Sequence, residues 1–475
     1  MAAAMRTAPD NTAPAASEAP DTTATSHLLV STLFLGLGGL LTVLAMAGIP
    51  FSTLSTGLLS QGRLRAAAML VVMVGWLVIA LTGAVYYVLP RLTGARLWRP
   101  GVAMTGLWAT AALTIGGVVA VMLGLGDGVE PFMLPWWLDA PMLAALTVPA
   151  AVTVQTVRRR AEEGVYVSLW FVMAGVVWLP MLYAVNALPG LASVGRALQE
   201  TVFVAGFTTM WVTAVGVGVA YYVVVKATGN PLSNRQLAKV GFWSLAVASI
   251  FAGPVQLAFG ATPDWLDTVS AVLGLALPVA ALANAYAIAT TADRAWEEIG
   301  RLPAVAATIG GLGFALLTGS ATAIASFRSA AAVVGFTSFW DGVTFAGLFG
   351  VGGLLVAGWA YQSLPAMTGR ELVSTRQTTR HIRWTVYGVG STSLLLMIAG
   401  VLRGYAWNGG SFTGSTAAGD GWAALSGPAD VMVSLAVLGA LVAFAGQLAF
   451  VLNVFRTITS GRVTAQEVLV ERSGS

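Results

Sequence analysis

The feature that most constrains this chain is a succession of apolar stretches, each about 20 residues long, separated by short polar turns. A helix needs about 20 apolar residues to cross a hydrocarbon core of about 30 Å. In lipid every backbone polar group must be paired internally, which leaves helices or closed barrels. The strands of a membrane barrel alternate with period two, and these stretches do not. Only 9% of the residues are charged and 57% are hydrophobic, whereas a soluble domain carries roughly 25% charge. The expected fold is an all-α polytopic membrane protein of about twelve spans.

The spans are expected at 28–49, 65–90, 101–125, 136–157, 166–187, 197–226, 238–260, 267–291, 303–326, 335–365, 382–403 and 429–457. Residues 1–26, rich in Ala, Thr, Pro and Asp, are expected to form a disordered tail, followed by a membrane domain at 27–458 and a second tail at 459–475. Of the 24 Lys and Arg, 18 fall in the even-numbered loops or the C-terminal tail, among them Arg91, Arg158, Lys226, Arg301 and Arg370. Asp127, Glu130, Asp264, Asp267 and Asp420 fall on the other side. The positive-inside rule therefore predicts cytoplasmic termini in a cell inner membrane. The net charge of +4 belongs to loops and does not point to nucleic acid. With no cysteine, disulfides and thiolate metal sites are excluded.

An internal repeat sharpens the expectation. Tyr86-Tyr87 precedes Thr93-Gly94 and Trp108; Tyr221-Tyr222 precedes Thr228-Gly229 and Trp243; Tyr361 precedes Thr368-Gly369 and Trp384. The copies begin 135 and 140 residues apart, or four helices each. Units of four helices share one orientation, which predicts three four-helix arcs around a pseudo-threefold axis along the membrane normal. The arcs cover approximately 27–126, 136–260 and 267–403, with a closing helix at 429–457.

Several segments carry a family resemblance. Ala220-Tyr221-Tyr222 through Phe242-Trp243, Ala252-Gly253-Pro254, Thr262-Pro263-Asp264-Trp265, Gly369-Arg370-Glu371-Leu372, and Ala399-Gly400 with Gly404 and Trp407 occur in order over residues 60–410. In order and spacing they resemble the cbb3-type (C-family) subunit I of the haem–copper oxidases. The resemblance implies twelve spans in three arcs. It also implies six histidines, two on a low-spin haem, one on a high-spin haem and three on copper, imidazole being the ligand that suits both metals. Placed on this sequence, the helix-2 haem position is Ala68 and the helix-6 copper position is Ala205. The helix-7 pair is Val255 and Gln256, and the helix-10 pair, one for each haem, is Val343 and Phe345. A tyrosine of the family falls near Ser249.

None of the six is a ligand, and the chain holds only two histidines, His27 and His381. His27 is expected before the membrane and His381 at the cytoplasmic mouth of helix 11. No haem, copper or other cofactor is therefore expected, and replacement by Ala, Val and Phe predicts a vacated volume refilled by packing.

Three ionisable residues at the outer ends of spans are candidates for an ion path or a partner contact. Asp341 lies two residues before Val343, and Glu200 opens helix 6 five residues before Ala205. Arg403 ends helix 11, where it reads first as an interfacial snorkelling arginine, with pairing to Asp341 or Glu200, or docking of an anionic partner, as the functional alternatives. Gln256 is expected to hydrogen-bond between helices. The outer loop Gly409–Gly421 is a candidate docking segment for a redox protein. The function expected is a subunit I-like integral membrane subunit of a respiratory or redox complex, without its own haem–copper centre. Its partners are other membrane subunits, with a membrane-anchored c-type cytochrome among them, and lipid. The alternatives are a transporter or ion conduit, and an oxidase subunit that keeps haem through unusual ligands.

Overall fold

The computed structural model describes residues 21–189, 191, 193–297, 299–407 and 418–461. Most of the expected N-terminal tail, residues 462–475 and most of the Gly409–Gly421 loop lie outside the described residues. Twelve helices among those described are long and apolar enough to cross a membrane. They are α1 (Thr22–Ala47), α2 (Gln61–Thr93), α3 (Pro100–Met122), α4 (Trp136–Val157), α5 (Val167–Asn186) and α6 (Val194–Thr228). The second six are α7 (Arg235–Leu257), α8 (Asp264–Ala292), α9 (Pro303–Ala325), α10 (Phe339–Thr368), α11 (Thr375–Trp407) and α12 (Ala424–Ser460). The spans match the expected set, with two corrections at the ends. The first helix starts at Thr22, so residues 22–26 belong to it. The last runs to Ser460, past the expected boundary at 458.

Three helices make the centre. In the most apolar stretches of α2, α10 and α6, 94%, 89% and 67% of the residues are buried, against 39–61% in the others. Each central helix contains one π-helical segment: Val71–Val78, Phe207–Thr213 and Ala346–Gly352. Each then runs through its repeat tyrosine and ends on a left-handed glycine, Gly94, Gly229 or Gly369, at φ 63°, 73° and 63°. A side chain with Cβ rarely adopts that conformation, so the glycine in each Thr-Gly pair stops its helix. The π segment widens the helix by one residue per turn, a distortion that recurs at functional sites.

The three π segments meet. A Cβ placed on Gly352 lies 2.7 Å from Leu77 of α2 and 3.0 Å from Val212 of α6. Towards the basic end an aromatic cluster continues the contact. The Tyr87 ring lies 6.3 Å from Tyr222 and 6.4 Å from Trp359, centroid to centroid. At that end the Arg91 guanidinium stacks 3.7 Å from the Tyr87 ring. It also donates to both carboxylate oxygens of Asp21, at 3.2 and 2.6 Å. The start of α1 is thus tied to the end of α2.

Both histidines are buried at 2% exposure or less. His27, near the start of α1, has its Nδ1 2.7 Å from the Thr23 carbonyl and its ring edge-on to the Tyr86 ring. Paired with its own first turn, the imidazole costs little to bury there. His381 keeps its expected place near the start of α11, with Nδ1 2.8 Å from the Tyr361 hydroxyl.

The convergence at Gly352 gives a direct test. Gly352→Leu must push α2, α6 and α10 apart, and overpacking of this kind costs about 1–3 kcal/mol or more. Thermal unfolding of the purified variant in detergent should fall by several degrees. Gly313→Leu, at a glycine open to its surroundings, should melt as the parent does.

Candidate functional site

α10 divides the interior. Trp340, Val343, Thr344 and Gly347 follow the helical i, i+3, i+4, i+7 pattern and line one cavity of about 50 Å³. Asp341, Thr344, Phe345 and Leu348 lie on the adjacent face and line a second cavity of about 230 Å³. α6 divides likewise, with Glu200, Thr201 and Val204 on the larger cavity and Ala205, Thr208 and Thr209 on the smaller.

This division sorts the six positions. Ala68 and Phe345 line the larger cavity, Ala205 and Val343 the smaller, and Gln256 both. Val255 lines neither and is buried in an apolar cluster with Phe339, Trp340 and Met397. The expectation that packing refills the interior is thus corrected. Alanine at 68 and 205 leaves space that neighbouring helices, held by the convergence of the centre, do not close. Phe345 fills only its own corner, against Phe349 at 4.8 Å between centroids.

The larger cavity is charged at one end. Arg65 approaches Glu130 at 3.7 Å and Asp341 at 3.8 Å. Glu200 lines the same end of the cavity as Glu130. Arg403 lines the same cavity and donates to Asp430 at 2.8 Å. The three candidates Asp341, Glu200 and Arg403 therefore share one cavity, and none of them pairs directly with another. Arg403 takes a carboxylate from α12, and Asp341 takes Arg65. Glu200 sits well inside α6, which starts at Val194, so it is not a helix cap. Gln256 was expected to bridge helices; its side chain bonds to no described residue. Gln256 lies in the short 3-10 turn Pro254–Leu257 and lines both cavities.

Sequence reasoning missed Arg65 and left Glu130 as a loop acid. Arg65 sits one helical turn before Ala68 on the same face, a spacing that could have found it. Glu130 reaches the site from the loop between α3 and α4, which no periodicity reveals.

The fit of haem or copper to this interior is poor. The six positions offer methyl groups, a ring and an amide. Neither histidine lines either of the two cavities. Among the described residues no three His, Cys, Asp or Glu side chains are grouped to hold a metal ion.

Comparison with known proteins places the chain. Residues 22–426 match the family described as cytochrome c and quinol oxidase polypeptide I, and the chain belongs to that family. It is 25% identical over 399 residues to cytochrome c oxidase subunit 1 of Rhodobacter capsulatus, covering 80% of this chain and 75% of the relative. It is 24% identical over 445 residues to the cbb3-type cytochrome c oxidase subunit CcoN1 of Stutzerimonas stutzeri, covering 90% and 92%. Its fold matches a chain of a haem–copper terminal oxidase dimer with a TM-score of 0.78 at 13% identity, over 94% of this chain and 85% of the other. The expectation of no cofactor is corrected by this membership: the family is that of haem–copper oxidase subunit I, which binds haem and copper. The donors expected for them are not at the six positions.

The Arg65 contacts give a second test. Arg65→Leu leaves Glu130 and Asp341 without their shared cation and should cost about 1 kcal/mol, as for a partly exposed pair. Adding Asp341→Asn should recover part of that loss in a double-mutant cycle of thermal stability. Strict additivity would show that the pair does not couple.

Proposed function

We propose that this chain is the subunit I-like membrane core of a respiratory or redox complex in the cell inner membrane, with both termini cytoplasmic. Its twelve spans form three four-helix arcs around the axis shared by α2, α6 and α10. The six positions take no part as ligands, so oxygen reduction at them is not its contribution. Its contribution is the scaffold on which other membrane subunits, including a membrane-anchored c-type cytochrome, assemble. The observation that carries this reading is a family fold kept over nearly the whole chain while the helix faces that bear its chemistry hold Ala, Val, Phe and Gln. Purification from native membranes in mild detergent should bring down redox membrane subunits in fixed ratio, with a c-type absorbance spectrum. A chain that purifies alone contradicts the proposal.

A second reading, an ion path, is favoured by one observation: Arg65 and Asp341 lie within the bundle with their side chains 51% and 57% accessible, facing a cavity. Charged groups that face a cavity within a membrane-spanning bundle mark pathways. Proteoliposomes should show a cation flux that Asp341→Asn lowers several-fold. Equal flux from the variant would remove Asp341 from the path.

A further inference from the structure

Three polar side chains meet where the two cavities adjoin. Gln256, Trp340 and Thr344 line both cavities. The Trp340 indole N–H is buried without a partner. Neither the Gln256 amide nor the Thr344 hydroxyl bonds to a described residue. Thr344 is unlike its neighbours in this. Thr208, Thr209 and Thr322 return their hydroxyls to carbonyls one turn back.

A buried polar group left unsatisfied costs about 1–3 kcal/mol. Apolar voids stay dry, but a void with several polar partners and roughly 10–15 Å³ of such space per water holds water. The smaller cavity, at about 50 Å³, has room for a few. Thr208, Thr318 and Asn284 also line it. Beyond the neck, the larger cavity holds Arg65, Glu130, Glu200, Asp341 and Arg403, charged groups that require hydration.

We propose that Gln256, Trp340 and Thr344 form the hydrated neck of a half-channel that opens at the acidic end of the bundle, ends in the threonine-lined chamber, and admits small monovalent cations. The mouth sets the sign of the ion. Glu130, Glu200 and Asp341 stand there against Arg65 and Arg403, and Arg403 is already neutralised by Asp430. A cleft with a net charge concentrates the opposite ion. The chamber ends at Asn284, whose Oδ1 accepts from the Tyr221 hydroxyl at 2.7 Å and whose Nδ2 donates to the Ala280 carbonyl. Its amide is thus committed on both sides. The inference deepens the ion-path reading by naming a route and a solute.

The chain has no cysteine, so a single introduced thiol reports alone. Thr344→Cys and Thr318→Cys, in membrane vesicles, are treated with a small cationic methanethiosulfonate and with its anionic counterpart. Both thiols should react with the cationic reagent at least tenfold faster than with the anionic one. Ala399→Cys, at a fully buried apolar site, should not react. Gln256→Leu added to Thr318→Cys should slow its labelling tenfold. Unreactive thiols in variants that melt as the parent does would overturn the half-channel, and equal rates with the two reagents would overturn its cation preference. If the labelling holds while proteoliposomes pass no sodium, the ion-path reading fails and the half-channel stands.

Discussion

The interior depends on the close contact of three distorted helices. Gly352 has no side chain, so the π segments of α2, α6 and α10 come together against Leu77 and Val212. Without a hydrophobic drive between helices in lipid, close packing of small residues carries much of the association. Held at that point, the helices cannot collapse onto the volumes beside Ala68 and Ala205. The cavities follow from the scaffold, and the scaffold follows from the glycine.

Much of the fold was legible in the sequence. Span lengths came from apolar runs. The Tyr-to-Gly spacing marked three equivalent helix ends, and each of those glycines is the left-handed cap that ends a central helix. What could not be read was the third dimension. The pattern within α10 says that Asp341, Phe345 and Leu348 share a face, but not that Arg65 of α2 and Glu130 of a loop complete it. The sequence around His27 says nothing of what covers it. Burial beside Tyr86 is a tertiary fact with no local signal.

The candidate site shows the same split. Asp341, Glu200 and Arg403 were recognised singly from depth and charge, and they do line one cavity. Their partners were not recognised, because ion pairs across helices depend on helix rotation. The six positions were assigned through the order of the motifs along the chain. Their division between two cavities is set by which side of α6 and α10 each occupies. The family's haem and copper raise a question of donors, since the faces assigned to imidazole carry none.

Central to this account is an interior that stays open at two places while its ligand faces are bare. A side-chain-resolution density map of the protein purified from native membranes tests this most directly. The account expects two separate cavities on either side of α10, with Arg65 beside Glu130 and Asp341 and with Gln256 between the two. A map with α2 closed onto α10 across Ala68, or with a metal bound at any of the six positions, would contradict it.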